Sequence, residues 1–432
     1  MPALNQVDSG WRSAWAQSGE RIRLRKATAR ILGDPRVLWT VVAMVTVQRL
    51  LAEVPVFLPP GADAYQFVES GREALTNPGA IYARSAAEIA AGHPWTITWP
   101  PPQILMAIPF ARLPGDAGPW LWAATNALMA VAGLYCLYRA VGSRGPTKLP
   151  VFVLITLCFT PLFEDIRLGQ RGGALLLLTG WAMLVVRSHP VLAGVLTGLG
   201  TSIKFYPAAM ALSVGGHRWP RFAGATFATA ATVLAVSFIP FGGPFQYVTR
   251  VLLPVAAGSS VGTRDCFQNS TPLLFSRIVG GEPFSRVSAS GVWTTVVLVP
   301  WHLTALAHAL SYVTIAALIG VTIWAAWRSG WAQPYAMSMA FSLGALVPGD
   351  VYTYQFIAVL PLTLVLLLGA IDKHLWWIAA LAALAVLTFE SSPCALVVPG
   401  LWTVAGLVLL IAAAVEAPRF RDSSALRDGS SR

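Results

Sequence analysis

Asp63 stands in Pro60-Gly61-Ala62-Asp63-Ala64-Tyr65, directly after a long apolar run. A carboxylate there, close to a bilayer surface and beside Tyr65, is suited to take the proton of an incoming hydroxyl. Asp is equally a good N-cap for a helix over Ala64 to Leu75, and both readings stand on the residues alone. Glu164, Asp165, Arg167 and Arg171 interrupt two short apolar runs in Phe163–Gly173, an expensive placement near lipid unless the charges pair or line a cavity. Mutual pairing is one reading; the other gives Arg167 or Arg171 a phosphate oxygen, which a guanidinium grips through two N–H groups. Lys204, in Ser202-Ile203-Lys204-Phe205-Tyr206-Pro207, either snorkels to the interface or holds a phosphate at the outward apex of a short helical pair.

Further polar groups fall in loops. Gly262–Thr271 carries Arg264, Gln268 and Asn269, donors and acceptors suited to sugar hydroxyls or simply to a solvated loop. Asn269-Ser270-Thr271 also fits the weak three-residue glycosylation pattern. Asp350, Tyr352, Tyr354 and Gln355 form a turn between apolar runs, for substrate contact or, at Asp350, for helix capping. His93–Pro102, with Trp95 and Trp99, reads first as an interfacial aromatic belt and second as a stacking platform. His302 and His308 lack a nearby third ligand, so interhelical hydrogen bonding is preferred to a metal site. No phosphate-cradling glycine loop, zinc motif or nucleophile elbow is present, and neither a metal nor a cofactor is expected.

The elements that must position these residues are membrane helices. The 432 residues are 56% hydrophobic and 11% charged, against roughly a quarter charged in soluble domains. Apolar runs at Val37–Val56, Pro119–Tyr138, Phe222–Ile239, Leu303–Trp327, Tyr352–Gly369 and Ala395–Val415 each approach the roughly 20 residues that span hydrocarbon. The expected fold is an all-α polytopic bundle with about 10–12 crossings, some short or broken. The short ones are Leu149–Leu162, Val191–Ile203 and Phe205–Gly215, and such half-helices usually border a water-filled cavity.

The net charge of +11 does not imply nucleic acid, because the basic residues sit in tails and short loops rather than on one solvated face. Placing those loops inside puts both termini in the cytoplasm. Residues 1–35 then form a basic tail, 36–416 the membrane domain with outer loops 58–117 and 242–290, and 417–432 a polar tail. A cleaved signal peptide is not expected, since the first apolar run is too long and no small-residue cleavage site follows. Arg49 and Glu53, four residues apart in the first run, read as an internal ion pair. Of the four cysteines, Cys136 and Cys158 read as buried small hydrophobes, while Cys266 and Cys394 share the outer side and are open to disulfide formation.

The order of these elements resembles the GT-C class of membrane glycosyltransferases, and within it glycosyltransferase family 87, over roughly residues 36–415. The matching pieces are Asp63 with Tyr65, Trp99-Pro100-Pro101-Pro102 followed by Pro109, Leu168-Gly169-Gln170, Ile203–Pro207, Gln268-Asn269-Ser270 and Tyr352-Thr353-Tyr354. The resemblance implies that Asp63 is the base of an inverting transfer from a polyprenyl-phosphate sugar to a glycolipid or polysaccharide hydroxyl. Lys204, then Arg171 and Arg264, would hold the donor phosphate, with Tyr65, Gln170, Gln268, Asn269, Tyr352 and Tyr354 around the substrates. Membrane lipids would be the surroundings and the plasma membrane the location, with the site facing outward. The late turn lacks the histidine of mannosyltransferase members, and Thr263-Arg264-Asp265 with the paired tyrosines is similar to arabinofuranosyltransferases, so both sugars are carried forward. A transporter or lipid flippase is the alternative, and it would place charges along a path through the crossings.

Overall fold

The computed structural model describes residues 34–57, 60–91, 98–142, 145–256, 266–287, 293–331, 333–348, 351–390 and 400–420. These residues are almost entirely helical. The one sheet described is a hairpin, Phe284–Val287 against Trp293–Val296, antiparallel. Five helices are long and apolar enough to cross a membrane: Ala117–Val141, Trp219–Phe241, Thr304–Arg328, Thr353–Asp372 and Leu401–Phe420. A bent pair, Lys148–Leu157 with Thr160–Leu168, angled at 55°, is apolar enough when taken together and forms a broken span or a re-entrant loop. Gly172–Val185, Pro190–Ile203 and Trp376–Glu390 are apolar but shorter. The Val37–Val56 run is helical over Pro35–Phe57, though it is not among the five.

Burial divides the bundle into a centre and a periphery. Thr353–Asp372 is 78% buried inside the protein, whereas Ala117–Val141, Trp219–Phe241 and Thr304–Arg328 are only about a third buried. Leu128, Ile239 and Tyr312 are consequently more than two-thirds exposed. In lipid such outward apolar faces need no protein partner, because hydrocarbon is as apolar as they are.

The bent pair is broken by sequence and repaired by charge. Pro161 opens the Thr160–Leu168 helix, where its missing N–H is harmless. The break exposes a main-chain carbonyl that must find a donor at membrane depth. Leu157 O accepts from Arg49 Nε at 2.9 Å; Arg49 in turn pairs with Glu390, and Thr160 Oγ1 donates to the same carboxylate at 2.9 Å. The ion pair of Arg49 therefore runs between elements to Glu390. The expected pairing along one helix with Glu53 falls on a side chain outside the described residues.

Lys148 pairs with Asp372 at 2.6 Å, which joins two of the loops expected inside. Cys266 is disulfide-bonded, whereas Cys136 and Cys158 are free thiols; Cys394 lies outside the described residues.

Candidate active site

Asp63 is carried by the helix Ala62–Thr76, whose N-cap is Gly61. The capping reading of Asp63 is thereby set aside. Asp63 sits inside the first turn, and its carboxylate accepts from Gln170 Nε2 at 2.5 Å. This contact depends on how the helix start docks. Gly61 N–H donates to Arg167 O at 2.9 Å, and Trp122 Nε1 donates to Gly169 O at 2.7 Å. Gly169 ends the Thr160–Leu168 helix with φ +74°, a left-handed cap that glycine adopts without steric penalty. A Cβ at that position would stand 2.4 Å from Ala64 Cβ. Glycine here lets the Asp63 helix approach the turn that carries Gln170 and Arg171.

Arg171 is 3% exposed. Its guanidinium lies 4.7 Å from the Trp99 ring centre and 5.2 Å from that of Phe67, a favourable cation–π setting. Trp99 thus faces this cation, where the sequence favours an interfacial belt. Arg171 Nε and Nη1 are buried without a hydrogen-bond partner among the described residues, as are Gln170 Oε1 and Tyr206 Oη. Native interiors leave few such groups unpaired, and each one calls for an explanation.

Asp165 lies beneath this layer, 1% exposed. It accepts from Asn126 Nδ2 at 3.1 Å and from Gly172 N–H at 3.0 Å. A Cβ on residue 172 would stand 2.5 Å from Asp165 Oδ1, so glycine is needed for the main-chain donor to reach the carboxylate.

Lys204 is an extended residue (φ −141°, ψ 134°) between the Pro190–Ile203 helix and a 3₁₀ turn at Tyr206–Ser213. Gln103 Nε2 donates to Ile203 O and anchors that junction. The Lys204 ammonium faces the charges of Arg171, Asp165 and Asp63 and stands 5.1 Å from the Tyr354 ring centre. Tyr354 stacks on Tyr352, with centres 5.7 Å apart and planes 5° from parallel. Gln268 Nε2 donates to Tyr352 Oη at 3.1 Å. The loop carrying Gln268 is held by Asn269 N–H to Val351 O at 2.6 Å, Thr353 N–H to Phe267 O at 3.0 Å and Arg277 Nη1 to Gln268 O at 2.9 Å.

Asp63, Gln170, Arg171, Lys204, Gln268, Tyr352 and Tyr354 thus adjoin one another in one continuous group. Two expected members, Tyr65 and Asn269, stand apart. Tyr65 is two residues beyond Asp63, and side chains at that spacing point to different sides of a helix; its hydroxyl hydrogen-bonds Asp116 instead. Asn269 is buried within its own loop, with Nδ2 donating to Cys266 O at 3.3 Å. Arg264 lies outside the described residues, as does Asp350. The sequence reading did not find Asn126, Gln103, Trp122 or Tyr206. Asn126 had a usable signal: it is an amide in the middle of an apolar run, where unpartnered polarity is costly.

The arrangement sets a partly buried carboxylate near two cations and several donors without a partner among the described residues, the chemistry for proton removal from a hydroxyl beside an anionic leaving group. The sequence profile of glycosyltransferase family 87 matches residues 97–351, more than half of the chain, a range that includes Gln170, Arg171, Lys204, Gln268 and Asn269 and begins after Asp63. A polyprenol-phosphate-mannose-dependent alpha-(1-2)-phosphatidylinositol pentamannoside mannosyltransferase of Mycolicibacterium smegmatis is 28% identical over 252 residues. That alignment covers 56% of this chain and 59% of that protein, so the chain spans less than two thirds of that relative. No solved structure matches significantly. On the strength of the profile match, the chain belongs to glycosyltransferase family 87.

Proposed function

We propose that this protein transfers a sugar, with inversion at the anomeric carbon, from a polyprenyl phosphate to a hydroxyl of a membrane glycolipid. The observation that carries the reading is the set of buried polar atoms on Gln170, Arg171 and Tyr206 that have no partner among the described residues, around the turn whose Gln170 holds Asp63. In the transfer, Asp63 takes the acceptor's proton while the acceptor oxygen forms a bond to the anomeric carbon. The bond from that carbon to the donor phosphate breaks, and polyprenyl monophosphate leaves with the electron pair. Its charge grows as the bond breaks, so fixed cations bind the transition state more tightly than the donor. Arg171 and Lys204 fill that role. Gln170 orients the base, and the Tyr352–Tyr354 stack with Gln268 offers aromatic faces and an amide to the sugar.

Mannose is the donor sugar favoured by the relative, and a phosphatidylinositol mannoside the acceptor class. An outward-facing site is supported by the basic loops and the Lys148–Asp372 pair away from it, and by the disulfide at Cys266, since disulfides persist in oxidising compartments. A transport role is not favoured, because the charges of the site gather at turns and helix starts instead of running through the crossings.

The test incubates membranes carrying the protein with polyprenyl-phosphate mannose, and in parallel with polyprenyl-phosphate arabinofuranose, plus a phosphatidylinositol mannoside. A new mannosylated lipid is expected. Transfer from arabinofuranose alone would replace the sugar, and transfer from neither donor would refute the reading.

A further inference from the structure

The transfer scheme leaves one buried acid without a task. Asp165 is 1% exposed, so no substrate reaches it, and it is clamped by Asn126 Nδ2 and by the N–H of Gly172. The glycine that makes room for the carboxylate follows Arg171 directly, which ties the acid to the cation through one turn of chain. Lys204 lies within electrostatic reach of Asp165, and of Arg171 and Asp63 as well. Tyr206 and Tyr354 share the same field.

Two cations held close together in a water-poor site repel each other, and each is also penalised by desolvation. Some anion must offset this before a phosphate arrives. Asp63 is a poor candidate: it is only partly buried, bound to Gln170, and must accept a proton during the proposed reaction. Asp165 is the acid of the group that is fully buried, held by two donors, and without a part in the proposed proton transfer. We propose that Asp165 is a positioning residue, a fixed counter-charge that keeps Arg171 and Lys204 together as cations ready for the donor phosphate. This rests on the reading of those two side chains as the phosphate site.

The probe is polyprenyl monophosphate without a sugar, titrated against the full-length protein in detergent from about pH 6 to pH 9, on either side of neutrality. Removing a neighbouring carboxylate lowers the pH at which an ammonium loses its proton. Asp165→Asn is therefore expected to bind about 10-fold more weakly at the alkaline end and to regain affinity as the pH falls. Adding Lys204→Arg restores alkaline binding, because a guanidinium stays charged. A loss of equal size at every pH, or no loss, overturns the proposal.

Should Asp165→Asn fail to fold, Asp165→Asn with Lys204→Met, which removes both charges, is expected to recover folded protein, since the uncompensated buried charge is gone. Failure of that pair to recover also overturns it. Absence of binding by the wild type would instead count against the phosphate site itself, which separates the two outcomes.

Discussion

Replacing Arg171 probes the donor site most sharply. Its guanidinium is buried between Trp99 and Phe67, and Nε and Nη1 have no partner among the described residues. A hydrogen bond to a charged group contributes about 1.5–3 kcal/mol. Loss of two in Arg171→Ala then comes to about 3–6 kcal/mol, or about 10²- to 10⁴-fold in kcat/KM. Arg171→Lys keeps the charge but not the planar fork, and loss of one bond predicts a fall of about 10- to 150-fold. Because the leaving phosphate gains charge in the transition state, part of each loss falls on kcat, with the remainder on KM for the donor. The assay is steady-state transfer from labelled polyprenyl-phosphate mannose, with folding checked by thermal unfolding in detergent. If both folded variants stay within about threefold of wild type, a change too small for even one such bond, Arg171 does not hold the phosphate.

Gly169→Ala places a methyl group against Ala64 and forces a left-handed conformation on alanine, which costs roughly 1–2 kcal/mol before the clash is counted. It is expected to lower the unfolding temperature and to reduce transfer by displacing the Asp63 helix, and normal activity would show that this docking does not set the site. Tyr354→Phe keeps the ring beneath Lys204 and should retain donor affinity, whereas Tyr354→Leu removes a contribution of about 0.5–2 kcal/mol and should weaken binding of polyprenyl monophosphate by about 2- to 30-fold. Arg49→Met and Glu390→Met are each expected to unfold more easily than the double variant, because a single change leaves one charge without its ion-pair partner between the elements. Equal stability of all three in a thermal scan would mean that the pair does not hold the break.

The helical membrane fold was legible because apolar length alone demands it: the runs at Pro119, Phe222, Leu303 and Tyr352 all emerge as spanning helices. Order along the chain was enough to nominate Asp63, Gln170, Arg171 and Lys204, since charges beside apolar runs are rare and need a reason. What the sequence hid were contacts set by helix docking. Arg49 has Glu53 one turn away in sequence, yet the carbonyl freed at Leu157 and the acid at Glu390 lie on other elements, and their nearness is a product of the bend. Trp99 reads as an interfacial aromatic until the Arg171 turn is brought under its ring. Asp165 looked like one of several charges pairing locally; its burial and its clamp by Asn126 and Gly172 depend on two helices packing closely. Tyr65 failed for a simpler reason, since neighbours two apart on a helix do not share a face.

The most direct test of the account is Asp63→Asn, which keeps the size of the side chain and removes the base. With the cations intact, polyprenyl monophosphate should bind within a few-fold of wild type, while transfer to the glycolipid falls by about 10²- to 10⁴-fold, the usual contribution of a general base. Full transfer by a folded Asp63→Asn protein would contradict the assignment of the base and with it the proposed reaction.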